Sequence, residues 1–380
     1  MIADRRFVCL GLAALVAGCG GGGTAPVAAP KRMASVPNAG YDAWVAGFKG
    51  RAAAKGISQG TLNSAFRGAG YLPGVIERDR NQTEFTRTLE DYLAIAASDE
   101  RVATGKEMLR KHAGLLGRIE AQYGVDKEIV TAIWGLESRY GARRGDVPVI
   151  SALSTLAYDG RRGAFFESQL IAALKILQNG DTSAGNMVGS WAGAMGHTQF
   201  IPTSYLAYAV DFTGDGRRDI WSENPADALA SAAAYLKRSG WVTGQPWGGE
   251  VGSAAARSGT PLAIIQPQKP GPQFAVFKNF NVIKRYNNSD SYALGVGHLA
   301  DRIGGGGPLK TPFGPDATGL TLADRKELQT RLTAKGFDTQ GADGVIGNNT
   351  KTAISAYQRS VGLPVTGEPS KELLDRLRRG

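Results

Sequence analysis

The sequence predicts a mainly α-helical protein folded as one large and one small unit. Three observations carry that expectation. Apolar residues recur at helical spacing in separate runs between Tyr41 and Ile303. Strand patterning is confined to a short stretch around Leu262 to Ile265, inside a Gly-, Ala-, Ser- and Pro-rich region from Trp247 to Pro272. A glycine- and proline-rich break at 304–319 then separates a last run of about sixty residues. At 380 residues the chain has room for about two domains, and 42% hydrophobic with 21% charged residues fits a folded, soluble protein.

Taken in order, the elements begin with a leader. Arg5 and Arg6 precede an apolar run, Phe7 to Ala17, that is too short to span a bilayer. Leu15 to Cys19 reads LVAGC, and small residues directly before a cysteine resemble a bacterial lipobox, with cleavage before Cys19 and lipidation of that cysteine. The alternative is an ordinary signal peptide. Residues 1–18 are thus the expected signal peptide and 19–40 a flexible tether. Both cysteines lie in this N-terminal region, so neither a disulfide nor a thiol nucleophile is expected in the folded units.

The large unit, 41–303, is expected to hold helices over Phe48 to Phe66, Glu84 to Ala97, Lys106 to Tyr123, Asp126 to Tyr140, Phe165 to Gln178 and Pro225 to Ser239, with a last one in Asn287 to Ile303. Leu170, Ala173, Leu174 and Leu177 form a stripe closed by Gly180. Residues 304–319 form the linker and 320–380 the small unit.

The fourth helix carries the most informative residue. Ile129, Val130, Ile133 and Leu136 recur at helical spacing, Asp126 is placed as N-cap, Val125 and Val130 as a hydrophobic staple, and Gly141 as the stop. Glu137 is four residues after Ile133 and seven after Val130, so it shares their inward face. A carboxylate forced into an apolar wall is costly to ionise and its pKa rises, which is how a general acid is made for work near neutral pH. The alternative is a Glu at the stripe's edge, paired with Arg139 or Arg143 and turned to solvent.

A second segment, Ser190 to Tyr205 (SWAGAMGHTQFIPTSY), combines small residues, a Met, a Gln and an aromatic rim. Gly193 and Gly196 permit close backbone approach. Ser190 and Gln199 offer neutral groups suited to sugar hydroxyls and acetamides; a tightly packed helical turn is the other reading.

W-G-L-E-S-R-Y-G followed some fifty residues later by G-A-M-G-x-x-Q-F-x-P-x-S-Y resembles the lytic murein transglycosylases, and within them the B type, glycoside hydrolase family 103. DGRRGAFFESQL (Asp159 to Leu170), DFTGDGRRDIW (Asp211 to Trp221) and RYNNSDSYALGVGHLADRI (Arg285 to Ile303) fit the same family. The resemblance covers roughly Tyr41 to Ile303. It implies a lysozyme-like helical core of goose type. It also implies cleavage of the β-1,4 bond between N-acetylmuramic acid and N-acetylglucosamine, without net use of water. Glu137 matches the family's single acid, which protonates the glycosidic oxygen and then takes the proton of the sugar's 6-hydroxyl as a 1,6-anhydro ring closes. Hydrolytic glycosidases need a second carboxylate, and none stands out in Ser190 to Tyr205; an intramolecular nucleophile makes a lone acid sufficient.

By the same resemblance, Ser190 and Gln199 match groups near the reacting sugar. Arg161 and Arg162 match a pair that meets muramic-acid and peptide carboxylates, a task suited to bidentate guanidinium pairing. Tyr286, Asn287 and Tyr292 match sugar-contacting positions, and Tyr92 an aromatic lining the cleft. Solvated charges and core tyrosines are the plainer alternatives for these residues.

Asp211, Thr213, Asp215, Gly216 and Asp219 fall at positions 1, 3, 5, 6 and 9 of an EF-hand-like calcium loop, with Arg217 at the backbone-ligand position. Ser222 stands where the bidentate Glu belongs. In some relatives a longer loop closes with a later Asp, to which Asp227 corresponds. A structural calcium and a metal-free turn rich in Asx hydrogen bonds are the two readings; no cofactor is required for the chemistry. His112, His197 and His298 show no metal spacing.

The small unit resembles a three-helix peptidoglycan-binding domain. Leu328, Gln329 and Leu332 open it, and Ala342 to Gln358 carries its D-G-x-x-G-x-x-T core, with Asp343, Gly344 and Gly347 shaping a turn and Thr350 starting a helix. Formal net charge is +10, which favours a polyanionic neighbour; with no nucleic-acid motif, cell-wall polymer or a membrane surface is expected and nucleic acid is not. The expected partners are peptidoglycan strands and a membrane reached through a lipid anchor, with other cell-wall enzymes as further candidates. The expected location is the periplasm, anchored to the outer membrane. A water-using muramidase and a non-catalytic wall-binding lipoprotein are the competing readings.

Overall fold

A computed structural model describes residues 33–81 and 87–380; Cys19, the leader and the start of the expected helix at Glu84 lie outside them. The regular structure of the described chain is almost all helical. The large unit runs α1 (Ala39–Ala54), α2 (Gln59–Ala65), α3 (Pro73–Arg80), α4 (Leu89–Ala96), α5 (Asp99–Lys111), α6 (Ala113–Tyr123), α7 (Lys127–Ser138), β1 (Val147–Pro148), α8 (Val149–Asp159), α9 (Gly163–Gln178), β2 (Val188–Gly189), α10 (Pro202–Tyr208), α11 (Ala226–Arg238), β3 (Gly248–Glu250), β4 (Ala263–Ile265), β5 (Phe274–Val276), α12 (Lys278–Tyr286) and α13 (Asp290–Ile303). β1 and β2 pair antiparallel, and β5 lies between β3 and β4. The expected strand is β4, an edge strand with Ala263 opposite Val276.

Several expected helices are divided, each for a local reason. Phe48 to Phe66 breaks at Gly56, in the left-handed region at φ 85°, and restarts where the Ser58 side chain caps Thr61 N. Lys106 to Tyr123 breaks at His112, which ends α5 and precedes α6; α5 itself begins earlier, where Ser98 caps Arg101 N. A side-chain oxygen on an exposed helix N–H satisfies a donor that the helix cannot. Asp126 stands at the N-cap of α7, yet its side chain caps nothing; Glu120 accepts from Lys127 N instead, at 3.1 Å. Nor is Gly141 the stop. α7 ends at Ser138, and Arg139 and Tyr140 both take left-handed backbone, φ 50° and 57°. Such non-glycine turns cost about 1–2 kcal/mol per residue, and tertiary contacts hold this one: the Tyr140 hydroxyl donates to Arg101 O at 2.7 Å.

α7 is the central helix, buried on all sides from Ile129 to Ser138 and packed by α5, α6, α11 and α13. The small unit is α14 (Leu322–Ala334), α15 (Asn348–Ser360) and α16 (Lys371–Arg379), with its own core of Leu320, Leu328, Leu332, Ile354, Leu374 and others. Gln329 staples its turn: its amide accepts from Gly344 N at 2.7 Å and donates to the Thr350 hydroxyl at 3.0 Å.

The segment joining the units is not a free tether. Lys310 N and Thr311 N donate to the Glu250 carboxylate at 2.8 and 2.7 Å, and Leu309 and Phe313 pack on the large core. Arg325 of α14, 2% exposed, donates to Glu90 and Asp91 of α4, each at 2.8 Å, and to Asp316 at 2.9 Å. The small unit is therefore docked. Among the described residues no helix is long and apolar enough to cross a membrane.

Candidate active site

α7 delivers Glu137 into the interior, 7% exposed. Among the described residues its polar partner is the Tyr292 hydroxyl of α13, which donates to Oε1 at 2.6 Å. Burial pushes the carboxyl from 4.5 up to about 8, against the opposing pull of the Tyr292 hydrogen bond. At neutral pH it is a protonated acid. The solvent-facing alternative is excluded by that burial, and Arg139 pairs with Glu100 instead, at 2.7 Å.

The Tyr292 ring lies parallel to that of Tyr286, centroids 6.4 Å apart and planes 11° apart. The Tyr286 hydroxyl donates to Thr198 O at 2.7 Å, tying the end of α12 to the 190–200 loop. Asn287 follows directly as the extended C-cap of α12. Tyr92 of α4 packs on Gly295 of α13, where an added Cβ would meet the Tyr92 ring at 2.7 Å. Tyr92 and Tyr286 thus lie beside Tyr292 on the Glu137 side of α13.

The 190–200 loop is turns and isolated bridges rather than a helical turn. Gly196 is at φ 69° with Ile220 O 2.1 Å from where a Cβ would sit, so only glycine fits. Gln199 is also left-handed, φ 51°, and its amide donates to Gly196 O at 2.8 Å and Arg144 O at 3.0 Å. Ser190 Oγ accepts from Ala194 N at 3.0 Å. Both side chains partly serve to close the loop on itself.

Arg161 and Arg162 are set apart from Glu137. Both guanidiniums close on Asp79 of α3, Arg161 Nε at 2.6 Å and Arg162 Nη2 at 2.9 Å. Burial alone would raise the Asp79 carboxyl, but the two guanidiniums outweigh it and hold it below its ordinary value. Two cations on one anion leave a net positive edge. Asp79 was missed in the sequence, although it completes a Val75, Ile76, Asp79 stripe, the same misplaced acid on an apolar face that marks Glu137.

The acidic loop folds back on itself. Carboxylate oxygens of Asp211, Asp215 and Asp227 lie within 4.8 Å of one another. Asp211 also accepts from Gly214 N and Gly216 N at 2.7 and 2.8 Å, and the hydroxyl of Thr213 reaches it at 3.3 Å. Arg217 N donates to Asp215, and Asp227, 2% exposed, accepts from Phe212 N, Thr213 N and Asp219 N. Ser222 supplies no carboxylate. Three hard oxygen donors fit a calcium-sized cation, while the backbone hydrogen bonds give the loop its shape.

A mainly helical domain that buries a protonated carboxyl against a tyrosine pair has the arrangement of an enzyme that works by general-acid chemistry. Comparison with known proteins agrees. Residues 40–260 and 252–301 match the Transglycosylase SLT domain, and 321–377 match a peptidoglycan binding domain. Membrane-bound lytic murein transglycosylase B of Escherichia coli (strain K12) is 34% identical over 233 residues; the match covers 54% of this chain and 64% of that protein. SltB3 from Pseudomonas aeruginosa, solved in complex with NAG-anhNAM-pentapeptide, is 45% identical with a TM-score of 0.69, covering 90% of this chain and 100% of that one. The Escherichia coli lytic transglycosylase Slt35, solved in complex with calcium, is 28% identical with a TM-score of 0.58, covering 70% and 93%. The chain belongs to the SLT-domain lytic transglycosylase family and carries a C-terminal peptidoglycan-binding domain.

Proposed function

We propose that this enzyme cleaves the β-1,4 bond between N-acetylmuramic acid and N-acetylglucosamine in peptidoglycan and leaves a 1,6-anhydro-muramic end. The observation that carries the reading is the buried, protonated Glu137. Its proton passes to the glycosidic oxygen as the C1–O bond breaks; the 6-hydroxyl bonds to C1 and returns its proton to the same carboxylate. Tyr292 holds the carboxyl in place throughout. Ser190, Gln199, Tyr286, Asn287 and Tyr92 serve the sugar subsites, and the positive edge of Arg161 and Arg162 receives carboxylates of the muramyl peptide. The complex of SltB3 with an anhydro-muropeptide supports the product assignment. Mass spectrometry of fragments released from sacculi tests it: the anhydro product is one water lighter than the hydrolytic one, and a hydrated product would move the enzyme to the water-using muramidases.

The anchor is proposed on LVAGC. Cys19→Ala is expected to shift the protein from the membrane fraction, and unchanged fractionation with unchanged lipid mass would remove the anchor. Lipidation would place the enzyme at the periplasmic face of a bacterial membrane, the outer membrane in our reading, beside its wall substrate.

The loop of Asp211, Thr213, Asp215, Arg217 and Asp227 is proposed as a structural calcium site, with no part in the chemistry. Millimolar calcium is expected to raise the melting temperature relative to chelator. No shift would leave the loop metal-free, and loss of turnover in a still-folded chelated protein would overturn the purely structural role.

A further inference from the structure

The most connected polar side chain near the site belongs to a residue with no role in the chemistry above. His197 is 2% exposed. Its Nδ1 accepts from Trp134 Nε1 of α7 at 3.1 Å, and its Nε2 lies 2.8 Å from Ser222 O. An indole N–H only donates and a carbonyl only accepts, so these two contacts put the proton of a neutral ring on Nε2, and Arg144 Nη1, 3.1 Å from that nitrogen, donates instead to Ser222 O at 3.2 Å. The backbone of the same residue accepts from the Ser138 hydroxyl at 2.6 Å, one residue from Glu137, and its N donates to Ile220 O at 3.1 Å. Gly141 makes room for the ring: a Cβ there would meet it at 2.6 Å. Two residues on, Gln199 holds Arg144 O. One imidazole thus joins α7, the turn after it, the 190–200 loop and the segment before α11.

We propose that His197 is a positioning residue for the reaction: its neutral ring holds the loop bearing Gln199 against the helix bearing Glu137, and charging the ring releases that loop. A protonated ring would turn an Nδ1–H donor against the Trp134 N–H. The charged neighbours make this worse in one direction only partly offset. Arg144 Nη1 stands 3.1 Å from Nε2, paired with exposed Glu223; Asp219 is the other acid in range; His112 faces the far side of the Trp134 ring, centroids 5.4 Å apart. Burial, chiefly, pulls the ring's titration below its ordinary value; the Ser222 carbonyl opposes that shift and Arg144 adds to it. The neutral state therefore survives down to mildly acidic pH, and below it activity falls.

The inference rests on Glu137 as the proton donor, and the two are separable. Turnover of a soluble glycan is measured against pH for the wild type, His197→Gln and His197→Leu, with melting curves for each. His197→Leu removes both hydrogen bonds, and a loop displaced on the order of 1 Å is expected to lower kcat/KM roughly 10²-fold. His197→Gln offers an acceptor and a donor that never charge, so it is expected to recover most of kcat and to carry activity further into acid than the wild type. An acid limb unchanged in His197→Gln, or wild-type kcat/KM in His197→Leu, overturns the proposal; if His197→Leu does not fold, the His197→Gln profile decides alone. A hydrated product from wild type would overturn the transglycosylase reading and leave the acid limb as the test of His197.

Discussion

Glu137→Gln is expected to abolish release of anhydro-muropeptides while making the protein more stable at alkaline pH. Loss of a general acid–base typically costs ~10²–10⁴-fold, and in the proposed mechanism one residue performs both transfers. The stability gain follows from linkage. The carboxyl titrates near 4.5 when unfolded and about 8 in place, so between those values the folded chain binds a proton that the unfolded chain has released. Stability from this group is thus lost as pH rises through that window, by an amount on the order of a few kcal/mol. A glutamine carries no such loss. Melting temperatures at pH 5 and pH 9 measure it: the variant's advantage should be small at the lower value and large at the higher. Activity within about tenfold of wild type would sink the role, and equal melting at pH 9 would sink the buried, protonated state.

Arg325→Ala is expected to undock the small unit. One guanidinium faces Glu90, Asp91 and Asp316, and Glu90 is 6% exposed. Deleting it strands a buried carboxylate, and breaking a buried pair in this way costs about 3–5 kcal/mol. The small unit keeps its own core around Leu328 and Ile354, so the loss should appear as new protease cleavage within 304–319 and a separate melting transition rather than as unfolding of both units. Protease resistance equal to wild type would mean that Leu309, Phe313 and the Glu250 clamp hold the dock without the ion cluster. A double-mutant cycle with Glu90→Gln isolates the pair's own coupling.

What the sequence could and could not disclose divides along chain separation. The stripe through Ile129, Val130 and Ile133 discloses both α7 and the misplaced acid, because helical packing repeats locally. Tyr286, Asn287, Tyr292, Arg161 and Arg162 were legible only through the family resemblance; no local pattern singles them out. Asp79 meets Arg161 across 82 residues and Arg325 meets Glu90 across 235, and no periodicity spans such gaps. The same holds for the linker, whose composition reads as a tether until Glu250, 60 residues away from Lys310, supplies its acceptor. The end of α7 misleads for another reason. Gly141 looks like a stop, but left-handed Arg139 and Tyr140 already end the helix, and the glycine is there to admit an imidazole.

Glu137 lies one residue from the carboxyl end of α7, where the helix field disfavours an anion by about 0.3–1 kcal/mol. Together with burial, that field acts as a spring on the catalytic cycle. On the proposed mechanism the emptied carboxylate is disfavoured by both burial and the helix field, so it readily takes up the proton that the sugar's hydroxyl offers. The acid would then be rearmed by the hydroxyl of the sugar it cuts, and successive cuts would need no proton drawn from solvent.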